Sequence, residues 1–105
     1  MNSMYTDIIP KPLYQVLSDL TQEPRFEIAL SVAIKDLLRL KLKEAREQVA
    51  LFEQRYQLNF SAFKVAWEDG YIANAHSYQV ERDYWEWEAA VTDTARLQQM
   101  VERLL

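Results

Sequence analysis

The chain has 105 residues, half of them hydrophobic and 27% charged, with a formal net charge of −4. This is the length of one domain and the composition of a globular protein, not of a disordered tail. One Gly, three Pro and no Cys disfavour turn-rich β and α/β folds. They also exclude a disulfide scaffold, thiol chemistry, a P-loop, a dinucleotide fingerprint and a GxSxG elbow.

Residues 1–11 read as an irregular lead-in, with Ile8 and Ile9 able to dock on a core. They carry no basic n-region followed by an apolar core, and no stretch reaches the roughly 20 apolar residues of a membrane span. A cytoplasmic protein with no membrane contact is therefore expected. Leu13, Val16, Leu17 and Leu20 have helical spacing behind Pro12, a residue suited to a first turn, so a short helix is predicted over 12–20. Thr21 to Pro24 breaks it and starts the next helix, predicted over 24–57, which meets no further Gly or Pro.

That long helix carries two apolar stripes. Phe26, Leu30, Ala33 and Leu37 form the first, with Ile34 adjoining. Leu38, Leu42, Ala45, Val49, Phe52 and Tyr56 form a heptad-type seam, which calls for a helix along its length as core or dimer contact. Asn59 or Ser61 caps a short helix predicted over 59–69, bearing Phe60, Phe63 and Trp67, and Gly70 suits the left-handed stop after it. Ser77 caps the last helix, over 77–104, with a stripe through Val80, Tyr84, Trp87, Val91, Ala95, Leu97, Val101 and Leu104. The fold class is all-α: an antiparallel hairpin of two long helices with short additional ones, its bundle completed by dimerisation.

Tyr78, Tyr84, Trp85 and Trp87 crowd ten positions. At about 100° per residue, Trp85 points away from the Tyr84/Trp87/Val91 stripe and Tyr78 lies nearer Trp85's side. Two readings stand. Trp85 and Tyr78 pack under the 60–72 segment with Phe63 and Trp67, or Tyr78, Trp85 and Trp67 serve as anchors for a protein partner, as aromatic side chains do at interfaces. The neighbouring Glu81, Asp83, Glu86 and Glu88 could suggest the paired acids of a glycosidase, but read more simply as the solvated flank of this helix. His76 stands alone, with no second ligand at helical spacing, so no metal, cofactor or catalytic site is expected.

Lys35, Arg39, Lys43 and Arg46 form a one-sided basic row, with Lys41 close by. The row is a solvated face, a partner for acids of the last helix or another protein, or a nucleic-acid contact. The last is disfavoured by charge: residues 1–58 hold eight basic and eight acidic side chains, and residues 59–105 hold four and eight.

The run Leu51-Phe-Glu-Gln-Arg-Tyr-Gln-Leu-Asn-Phe-Ser-Ala-Phe, the turn Trp67-Glu-Asp-Gly-Tyr-Ile and the segment Ser77-Tyr-Gln-Val-Glu-Arg-Asp-Tyr-Trp-Glu-Trp-Glu-Ala together resemble small helical antitoxin-like proteins of cyanobacterial and archaeal toxin–antitoxin pairs. The resemblance covers roughly residues 25–95. It implies a cytoplasmic protein that binds and neutralises a toxin protein, and it transfers no catalytic residue. Many antitoxins also carry a DNA-binding domain, and no such pattern is recognisable in this chain. The expectation is thus a non-catalytic homodimeric binder of a toxin, with a purely structural homo-oligomer as the alternative.

Overall fold

The structure, a computed structural model, describes residues 9–104. Their regular structure is helical throughout: α1 Lys11–Thr21, α2 Phe26–Tyr56, α3 Phe60–Glu68 and α4 Tyr78–Arg103. Ile9 is half-buried, whereas Ile8 and the rest of the lead-in before it lie outside the described residues. The chain gathers into two compact units, Met1–Arg39 and Leu40–Leu105, with the division inside α2.

The helix ends follow local chemistry. α2 starts two residues later than Pro24 suggests, because the Glu23 carboxylate accepts the Arg25 backbone N–H at 3.0 Å and its side-chain Nε at 2.7 Å. These bonds to Arg25 hold the Glu23 carboxyl down at about 2. Asn59 caps α3 by accepting the Ala62 N–H at 2.8 Å, and Ser77 caps α4 by accepting the Val80 N–H at 3.3 Å. Gly70 adopts φ +79, the left-handed stop expected of it. Two other stops use glutamine. Gln22 and Gln57 take φ 57 and 58, and each side-chain amide donates to the carbonyl three residues earlier, that of Asp19 or Gln54, at 2.6 Å.

In the first unit, the Tyr14 ring of α1 stacks on Phe26 of α2 with centroids 5.8 Å apart. The Tyr14 hydroxyl donates to the Pro24 carbonyl at 2.8 Å. This contact turns α1 so that Leu17 is half-buried while Leu13, Val16 and Leu20 face outward. Of the described residues here only Phe26 and Ala29 are buried. Leu30, Ile34 and Leu37, expected to serve a core stripe, are exposed.

The second unit holds the aromatic core. Phe52, Phe63 and Trp87 are sealed from solvent, with Tyr56, Phe60, Trp67, Ile72, Val80, Tyr84 and Val91 packed around them. Sealing such a side chain contributes about 2–3 kcal/mol. Arg46 reaches Gln98, and nine residues further along α2 Arg55 reaches Asp83 of α4. Numbering rises on one helix as it falls on the other, so the two are antiparallel: the predicted hairpin. In the seam Leu42 and Phe52 are buried and Ala45, Val49 and Tyr56 half-buried, with Phe52 and Tyr56 stacked on Trp87 of α4, while Leu38, in the first unit, is half-buried. Along α4 the buried positions are Asp83, Trp87, Ala90 and Leu97, so the stripe departs from the expected one at Ala95 and Leu104, which are exposed. Thr94 is accommodated there because its hydroxyl donates to the Ala90 carbonyl at 2.8 Å.

Candidate protein-docking surface

The inner face of α4 is committed to the core, and this decides what its outer face can present. Trp87 stacks on Phe52 at 5.7 Å and meets Phe63 at 4.9 Å. Trp85 lies two positions away and is therefore carried to the opposite side, where it is 65% exposed. Tyr78, seven residues earlier, shares that side within about 20° and is 80% exposed. The two rings stand two turns apart, about 10 Å along the axis. Neither packs under the 60–72 segment. Trp67 takes that place: its ring lies 5.0 Å from Tyr84, 6.2 Å from Phe63 and 5.9 Å from His76. The three anchor candidates thus separate into an outward pair, Tyr78 and Trp85, and an inward Trp67.

Trp85 rests edge-on against Tyr84 at 5.6 Å, which braces the indole without covering it. Beside the pair, Glu81 and Glu88 run at the same seven-residue spacing and give one flank a negative charge. On the other flank Arg82 donates to Glu86 at 2.8 Å and neutralises it. Exposed His76 places Nδ1 3.5 Å from Glu81. Next to Tyr78 a groove of about 410 Å³ opens between α2 and α4, lined in part by Leu51, Arg55, Tyr78, Arg82, Asp83 and Glu86. Leu51 is itself exposed, so the groove offers apolar surface together with the Arg55 and Arg82 side chains that also line it.

Asp83 departs from the solvated flank expected of it. It is buried, and its Oδ2 accepts the Arg55 Nη1 at 2.7 Å and the Tyr56 hydroxyl at 2.6 Å. Burial pushes the Tyr56 phenol up to about 12, and its bond to Asp83 adds to the shift. The hydrogen bond to Asp83 likewise raises the Arg55 guanidinium above its ordinary value. The triad pins α2 to α4 at the floor of the groove. The signal was in the spacing: Asp83 precedes Trp87 by four and so shares its face.

The basic row is largely paired off. In the first unit Arg39 binds Asp36 at 3.2 Å and Lys35 is half-buried. In the second, Lys43 faces Glu47 at 3.8 Å, Lys41 faces Glu44 at 3.8 Å, and Arg46 donates to the Gln98 amide oxygen at 2.8 Å. Where pairing with acids of the last helix was one expectation, Arg46 meets an amide there instead. Among the described residues no group of three or more His, Asp or Glu could hold a metal ion, and no helix is long and apolar enough to cross a membrane. The chain matches no family model, no curated protein and no solved structure.

Proposed function

We propose that this chain is a non-catalytic protein-binding module, an antitoxin-like protein that captures and neutralises a toxin through the outer face of α4. One observation carries the reading: Trp85 and Tyr78 stand exposed on one side of a helix whose other face is locked by Trp87. A rigid helix presenting aromatic anchors loses little freedom when a partner closes on it, and such anchors dominate interface energetics. The resemblance of residues 25–95 to antitoxin-like proteins supplies the kind of partner. The Glu81 and Glu88 flank favours a partner with a basic surface, and the groove beside Leu51 receives an apolar side chain from it.

The test is co-expression with the product of the adjacent gene. Wild-type chain should relieve its toxicity and co-purify with it. Trp85→Ala should weaken the complex by about 2 kcal/mol, some thirtyfold in Kd, while its circular dichroism stays helical. A neighbour without toxicity, or an unchanged Kd for the folded variant, refutes the proposal.

A further inference from the structure

The first unit carries a different surface. Leu13, Val16 and Leu20 project from α1 at spacings of three and four, and Leu30, Ile34 and Leu37 project from α2 at spacings of four and three. All six are between 40% and 76% exposed, while this unit buries only Phe26 and Ala29 among its described residues. Even with half-buried Tyr14, Leu17, Ala33 and Leu38 beside these two, the described residues of the unit leave most of their aliphatic surface in water. The unit therefore needs cover.

We infer that a second copy of this chain supplies it, the two first units closing on each other about a two-fold axis. The patch is aliphatic, with no exposed aromatic ring among its described residues. Homodimer interfaces are likewise more apolar than those between unlike proteins, which draw on Trp, Tyr and Arg as anchors. The six side chains offer roughly 300 Å² of apolar area per copy at about 100 Å² for each full side chain. Two copies, at the apolar share of about 65% usual in homodimers, make an interface of about 1,000 Å², where specific association begins. Charge permits it. Residues 9–39 hold four basic side chains, Lys11, Arg25, Lys35 and Arg39, and four acidic ones, Asp19, Glu23, Glu27 and Asp36. With Asp7 the whole unit, residues 1–39, holds five acidic side chains against four basic ones, so identical units meet with little net repulsion, and the absence of a basic excess disfavours an anionic lipid surface as the cover. This inference is independent of the α4 proposal, since the two use separate residues.

The full chain should sediment at twice its 12.5 kDa mass at a concentration of about 100 μM, and dissociate on dilution. Val16→Glu should weaken association more than about tenfold, while Trp85→Glu leaves it unchanged. Amide exchange gives a readout that needs no variant: protection across 30–37 should rise with chain concentration, and protection across α3 should not. A monomer at that concentration, exchange across 30–37 indifferent to concentration, or loss of the dimer in Trp85→Glu overturns the inference. So does a higher oligomer that survives Val16→Glu.

Discussion

Removing Arg55 isolates a buried carboxylate. In Arg55→Met the Asp83 side chain, 6% exposed, keeps the Tyr56 hydroxyl and loses the 2.7 Å guanidinium contact. Breaking a fully buried ion pair costs about 3–5 kcal/mol. Here the Arg55 side chain is 42% exposed, so water screens the pair and the cost falls to that of a charged hydrogen bond, about 1.5–3 kcal/mol. A loss of about 2 kcal/mol is expected, which moves a urea midpoint by about 1–2 M at the usual slope for a small protein. Asp83→Asn should cost a similar amount, because its amide oxygen can take the place of Oδ2 but accepts the Arg55 and Tyr56 bonds without the negative charge that strengthens them. The double variant should lose at least about 1 kcal/mol less than the two single losses combined. Tryptophan emission is a suitable assay, since Trp67, Trp85 and Trp87 all lie in the Leu40–Leu105 unit and report it alone. A single-variant loss below about 0.5 kcal/mol, or strictly additive losses, would show that the pair does not anchor the hairpin.

Phe63→Ala empties the centre of the aromatic core and should cost about 3–5 kcal/mol by urea unfolding. A loss under 1 kcal/mol would mean the core collapses freely into the space, on the order of what surface changes cost. The raised Tyr56 phenol predicts a pH effect of definite sign. The unfolded chain releases that proton near 10 and the folded chain near 12, so the unfolded state holds fewer protons between these values and stability falls as pH rises through the window. Tyr56→Phe should flatten that fall relative to wild type, and an unchanged pH profile would contradict the assignment.

The helical stops and caps were legible because each rests on one residue's own chemistry: Asn59, Ser77 and Gly70 act where their side chains, or the lack of one, demand. The outward placement of Trp85 and Tyr78 was within reach of angular arithmetic, which left open only whether the 60–72 segment folds over them. Trp67 occupies that segment's inner side, and this settles the matter. Asp83 is buried against expectation because its acidic neighbours at 81, 86 and 88 suggest one solvated flank, although its position relative to Trp87 puts it inward. Its partner Arg55 lies 28 residues away, and no local pattern links the two. The aliphatic stripes of the first unit were visible as periodicity. Periodicity marks a face as apolar without saying what lies against it, and Leu30 and Leu37 prove exposed.

Gln22 and Gln57 give the corners of this chain an economy that glycine lacks. Each terminates its helix in left-handed backbone and hands its own amide to the carbonyl the turn would otherwise leave to water. Glycine in either place would relax the backbone by about 1 kcal/mol, but it would strand that carbonyl and loosen the unfolded polymer. The bends are thus made by residues that remain stiff once melted, so each corner carries a smaller entropic debt at refolding than a glycine hinge would.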